Sequence, residues 1–203
     1  MNLKTRLFVA MLIEFPLVAV AMFSAAGTWY WVAGWVFLAV FTGGSTAIVL
    51  WLLEHGPGVL AERMSGFQLV ELGWDRVFLW LVSVFFIVWI VVMPLDAVRF
   101  GWSDIPDWLQ VIGGVVLVLS FYLFFLVFRE NPFLSAVIRV QEDRDQTVVD
   151  TGPYRYVRHP MYSASILFFL GSSLLLGSWV GVAMSFIAAV GVVIRARLEE
   201  KVL

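Results

Sequence analysis

The stretch YSASILFFLGSSLLLGSWVGVAMSFIAAVGVVI, residues 162–194, decides the fold. As one helix it would run about 50 Å at 1.5 Å per residue, far more than the roughly 30 Å of hydrocarbon in a bilayer. Gly177-Ser178, near its middle, supplies the turn that divides it. The stretch therefore reads as a hairpin of two helices, 162–176 and 179–194. Each half is a little short for a full crossing, so it must tilt, thin the bilayer or rely on neighbours. Upstream, segments 7–26, 31–53, 77–95 and 108–128 each approach or exceed the ~20 apolar residues a crossing needs. The expected fold is all-α: a polytopic membrane protein of six transmembrane helices, the last two a hairpin.

Composition agrees. Of 203 residues 62% are apolar and only 14% charged, with a mean hydropathy of +0.93. A soluble domain carries about 25% charged residues, so a soluble globule, a disordered chain and a nucleic-acid binder are excluded. Cysteine is absent, which removes disulfides, thiolate metal sites and Cys nucleophiles together. No metal site is expected, because neither H-x-x-x-H nor H-E-x-x-H spacing occurs. The formal charge of −2 points to no partner, since the basic residues are clustered.

Those clusters fix an orientation. With six crossings, twelve of the thirteen Lys and Arg fall on one side and only Arg99 on the other. The positive-inside rule then places both termini in the cytoplasm, with the bilayer as the first partner. Five crossings would send the C-terminal cluster outside. No A-x-A cleavage site follows the first segment, so it is expected to stay in the mature protein. Trp29, Tyr30, Trp31, Trp102, Trp108 and Trp179 stand at helix ends, where interfacial aromatics belong. Ser103, Asp104 and Pro106 read as the start of the fourth helix. The chain divides into a four-helix part, 1–128, and a loop, hairpin and charged helix end, 129–203, as one integrated domain. Within the first part, segment 54–75 is expected along the interface, with Val59, Leu60, Met64, Phe67 and Leu69 on a partly apolar face. No internal repeat is visible, which argues against a duplicated transporter.

Isolated polar residues carry less. Glu14, beside Pro16, is either an intramembrane functional carboxylate or a boundary residue. His55, followed by Gly56-Pro57, reads as a helix-end residue. Gly43-Gly44 and Gly113-Gly114 read as places of close helix approach. The dense region is QTVVDTGPYRYVRHPMY, residues 146–162. Pro153 and Pro160 restrain the backbone at both ends of a short stretch that supplies cations, rings and a histidine. An interfacial anchor would need no such rigidity; a loop that holds a polar ligand would. The second dense place is RARLEEK, residues 195–201, where Arg195 and Glu199 sit at i and i+4 and can pair. Six crossings bring both places to one face. Adjacent carboxylates there would accept ribose hydroxyls or an ammonium, and would favour a sulfonium.

G-P-Y-R-Y-V-R-H-P-M-Y, an apolar hairpin and then R-x-x-x-E-E resembles the integral-membrane methyltransferases, namely the isoprenylcysteine carboxyl methyltransferases, in a bacterial form, and the phospholipid methyltransferases. The upstream E-N-P-F-L-S adds to the likeness, which spans about 129–203. Relatives usually continue past the E-E pair with a Tyr-rich basic segment, whereas this sequence ends at Leu203. The resemblance implies S-adenosylmethionine held by Gly152, Pro153, Tyr154, Arg158, His159, Pro160 and Tyr162, with Glu199 and Glu200 as the paired carboxylates. It also implies a bacterial inner membrane as the location. The reaction implied is methyl transfer to a lipophilic or small acceptor: an isoprenylcysteine-like carboxylate, a lipid or a thiol. A carboxylate acceptor would need Arg158 or Arg195 to position it; an amine or thiol would need a base such as His159. Two other readings stay open, a small transporter or scaffold without chemistry and a family member that binds cofactor without turnover.

Overall fold

The computed structural model describes residues 2–64, 73–134 and 149–200, with no account of the side chains of 64 and 73–75. Seven helices follow one another: α1 (Leu3–Ala26), α2 (Val32–His55), α3 (Pro57–Met64), α4 (Gly73–Pro94), α5 (Asp107–Glu130), α6 (Pro160–Leu175) and α7 (Trp179–Glu199). Among the described residues there is no strand. The chain is an all-α polytopic membrane protein. Five helices are long and apolar enough to cross a membrane, and α6 is apolar but shorter.

The hairpin forms as expected. Gly177 turns the chain at φ 82°, and the Ser178 hydroxyl caps α7 by accepting from the Gly181 N–H at 2.8 Å. Its two halves are unequal. The first is 16 residues long, about 24 Å. The second does not stop at Ile194 but continues to Glu199. Arg195 explains the difference, because it is 4% exposed and the helix carries it into the protein rather than ending at it.

α6 tolerates its shortness by packing backbone to backbone on α5. A Cβ on Gly113 would stand 2.4 Å from the Leu175 nitrogen, and one on Gly171 2.7 Å from the Leu117 nitrogen. Without side chains there, the two helices approach closely and bring in dispersion contacts that replace a hydrophobic drive absent in lipid. Gly44 is closed by the Phe121 ring in the same way, whereas Gly43 faces open space. Trp89, Phe37, Phe41 and Phe168 fill the centre between α2, α4 and α6. The Trp89 indole N–H donates to Ser173 Oγ at 3.2 Å, and Ser173 lies 3.1 Å from Ser185 Oγ.

At the end away from α6's start, one carboxylate ties three segments. After Pro94, α4 widens into a π-turn, Leu95–Arg99, that buries Asp96 completely. Its Oδ2 accepts from the hydroxyls of Ser103 and Ser178, both at 2.6 Å, and from the Val180 N–H at 3.3 Å. This corrects the reading of Ser103 and Asp104. α5 begins at Asp107 with no side-chain cap, and Ser103 Oγ and the Asp104 carbonyl instead accept from the Trp179 backbone and indole N–H groups.

Other expectations need adjustment. Trp31 is buried against Phe23 and Gly34 rather than interfacial, while Trp29, Tyr30, Trp102, Trp108 and Trp179 are exposed. Val59 and Leu60 of α3 are buried against Leu7, Ile48 and Leu52; Phe67 and Leu69 lie outside the described residues. Glu14 sits about halfway along α1 with an exposed side chain.

Candidate functional site

The site is built where α6 starts and α7 ends. Pro160 occupies the first turn of α6, where its missing N–H costs nothing. Its ring bars the preceding residue from helix, so His159 is held at φ −124° and ψ 65°. The imidazole is thereby fixed at the mouth of the helix, and its ring stacks on Tyr162 at 5.4 Å, inclined by 26°.

Across from it stand the two carboxylates, on consecutive residues and so about 100° apart around the helix. They divide the work. Glu199 Oε2 accepts from the Tyr162 hydroxyl at 2.6 Å and lies 4.0 Å from His159 Nδ1. Glu200 Oε1 accepts from His159 Nε2 at 3.2 Å and lies 4.0 Å from the exposed guanidinium of Arg158. Arg195, four residues before Glu199 on the continuous α7, shares its side of the helix. The Arg195 guanidinium lies 4.8 Å from the centre of the Phe78 ring of α4 and acts on the Tyr162 hydroxyl. Among the described residues, these hydrogen bonds use Glu199 Oε2 and Glu200 Oε1.

The other wall is the turn Gly152–Arg155, a single stretch of 3-10 helix. Gly152 adopts φ 56°, and a Cβ there would meet Glu130 Cγ at 2.5 Å, so only glycine fits. Glu130 anchors the turn by accepting from the Thr151 hydroxyl at 3.0 Å. The Asn131 amide donates to the Tyr154 hydroxyl at 2.9 Å. Burial pushes the Tyr154 phenol above its ordinary range; the Asn131 hydrogen bond works against this and the Glu199 carboxylate adds to it. The phenol is therefore a neutral hydrogen-bonding group held by Asn131. A cleft of about 580 Å³ opens beside Asp150, Thr151, Gly152, Tyr154 and Arg155.

Of the sequence-predicted residues, Arg158, His159, Tyr162, Glu199 and Glu200 come within contact of one another across some forty positions of chain. Gly152, Pro153 and Tyr154 form the adjoining turn. Pro160 acts through the helix it starts, and Arg195 lies behind Tyr162. His55, at the end of α2, stacks on Trp51 at 4.8 Å and takes no part. Among the described residues no group of three His, Asp or Glu is placed to hold a metal. The reading from sequence missed Glu130, Asn131 and Phe78 as parts of this region. The first two carry a signal, an acid and an amide at the point where α5 gives way to Pro132.

Residues 108–203 match the phospholipid methyltransferase family. That part of the chain is similar to the phospholipid methyltransferases. No curated protein and no solved structure matches it. The stretch matched to the phospholipid methyltransferases begins with α5 and takes in the 3-10 turn, α6 and α7, which is to say both walls of the site. Phe78 lies outside the matched residues.

Proposed function

We propose that the chain is an S-adenosylmethionine-dependent methyltransferase whose site faces the cytoplasm of a bacterial inner membrane, and that residues 129–203 carry the site on a scaffold of the first four spans. One observation supports this above others: the start of α6 and the end of α7 present a histidine, a tyrosine and two carboxylates to one another. That donor set fits the cofactor. Glu199 and Glu200 would take ribose hydroxyls or the ammonium, and their charge would favour a sulfonium. Tyr154, His159 and Tyr162 offer ring faces and polar edges, and the Gly152–Pro153 turn gives backbone access beside the cleft.

When bound, S-adenosylmethionine supplies an electrophilic methyl group. The protein's task is then to orient an acceptor and exclude water. Arg158 is placed to meet an anionic acceptor, since its guanidinium is exposed and approaches Glu200 at 4.0 Å. For an amine or thiol acceptor, His159 would take the proton at a ring nitrogen, with the two carboxylates stabilising the imidazolium. The depth of the site favours an acceptor that arrives within the bilayer. α6 is about 24 Å long against roughly 30 Å of hydrocarbon, so its polar start is drawn toward the membrane.

The test is calorimetric titration of the purified protein with S-adenosylhomocysteine, which needs no knowledge of the acceptor. Saturable binding that His159→Ala and Glu199→Ala each weaken roughly 10-fold to 150-fold supports the reading. Absence of binding to the wild type returns the chain to a scaffold or transporter.

A further inference from the structure

The family match leaves α4 without a part in the site, yet α4 touches it. α4 and α7 lie side by side, joined near one end by Met93 against Gly181 and near the other by Phe78 against Arg195. The second contact has an unusual composition. Arg195 is 4% exposed, in a helix of apolar character, with its guanidinium carbon 4.8 Å from the Phe78 ring centre. A ring face attracts a buried guanidinium and helps to hold it in place beside its other partners. The same guanidinium acts electrostatically on the Tyr162 hydroxyl, which in turn donates to Glu199 at 2.6 Å. Arg195 stands one turn before Glu199 on α7, so Phe78, Arg195, Tyr162 and Glu199 form one neighbourhood.

From this we infer that Phe78 is a positioning residue for the ligand site: its ring face holds Arg195 where the guanidinium can act on Tyr162, and Tyr162 then sets the carboxylate of Glu199. The inference rests on the methyltransferase reading and extends the site to a helix outside the matched residues. A purely space-filling role for Phe78 would need an apolar side chain of that size and nothing more. The positioning role needs the electron-rich face of the ring.

Three proteins separate these roles: Phe78→Leu, Phe78→Tyr, and the chain with pentafluorophenylalanine at position 78, which keeps the ring's shape and reverses its quadrupole. S-adenosylhomocysteine affinity is read by calorimetry and folding by the thermal midpoint in detergent. The guanidinium Nε–H resonance of Arg195, identified by its loss in Arg195→Lys, reports the ring directly. Phe78→Leu and the fluorinated protein should each bind about 3- to 10-fold more weakly with a displaced Arg195 resonance, and Phe78→Tyr should stay within about twofold of wild type. If Phe78→Leu does not fold, the fluorinated chain carries the test alone. Wild-type affinity and an unmoved resonance in the fluorinated chain overturn the inference and leave the methyltransferase reading standing. Failure of the wild type to bind S-adenosylhomocysteine overturns both.

Discussion

Glu199 and Glu200 are neighbours in sequence with different surroundings, and their charges should be worth different things. Glu199 is the more enclosed, gripped by a 2.6 Å hydrogen bond from Tyr162, while Glu200 is about half exposed and meets His159 and Arg158 from the water side. A hydrogen bond to a charged acceptor contributes about 1.5–3 kcal/mol when well shielded and less at a wet edge. Glu199→Gln should therefore lower the thermal midpoint as well as ligand affinity, with Tyr162→Phe giving a similar profile. Glu200→Gln should leave stability near wild type and reduce S-adenosylhomocysteine affinity. Equal small effects of both Gln variants on both quantities would mean that the pair is an ordinary solvated helix end. The R-H-P-x-Y and E-E residues were legible in sequence because prolines and paired acids at a membrane boundary have few packing reasons to be there. Phe78 was not legible. Phenylalanine is abundant in spans, and nothing local distinguishes a ring that faces a buried arginine from one that faces lipid.

Among the elements, the α5–α6 pair and the turn at Asp96 hold the site's helices in place from its far end. The Gly113 and Gly171 contacts leave no room for a methyl group against a rigid backbone, so neither can be relieved by rotating a side chain. Gly113→Ala and Gly171→Ala should each destabilise by about 1–3 kcal/mol despite alanine's better helix propensity, and the loss is measurable as a lowered unfolding midpoint in detergent. An unchanged midpoint in both would show that the helices can separate freely. Asp96→Ala strips the shared acceptor from a buried hydroxyl, a half-buried hydroxyl and an N–H, and should cost about 3 kcal/mol or more. Asp96→Asn, which keeps one acceptor oxygen, should recover part of it. The close approach of α5 and α6 was half readable, since Gly113-Gly114 signalled it but Gly171 carried no comparable cue. Asp96 was hidden for a different reason. An acid at the end of a span looks like a boundary residue, and its burial depends on Ser178, which arrives from the hairpin turn far along the chain. The extent of α7 was misjudged for the same kind of reason, because the charge on Arg195 looked like an end until Phe78 and Tyr162 enclosed it.

For the molecule as a whole, the decisive matter is which face carries the site. A hairpin at the C-terminus makes the number of crossings even, and an even count returns the end of α7 to the side on which α1 begins. The geometry agrees with that parity. The Arg99 guanidinium donates to the Ser24 carbonyl near the end of α1, and Asp96 joins the hairpin turn, so α1, α4 and the turn meet at one end. The opposite end holds Lys4, His159 and Glu199. Among the described basic residues only Arg99 lies at the first end, the bias on which our proposal of a cytoplasmic second end rests. The absence of cysteine makes the assignment easy to test, since any introduced thiol is the only one in the chain. Trp102→Cys should react with a membrane-impermeant maleimide on intact cells. Lys4→Cys and Arg197→Cys should react only after the membrane is opened. All three positions are exposed or at helix ends, so a failure to label reports sidedness rather than burial, provided that each variant labels in detergent. Labelling of Lys4→Cys or Arg197→Cys from outside would reverse the orientation. Labelling of only one of the two would break the hairpin's parity and with it the common face on which His159, Glu199 and Glu200 meet.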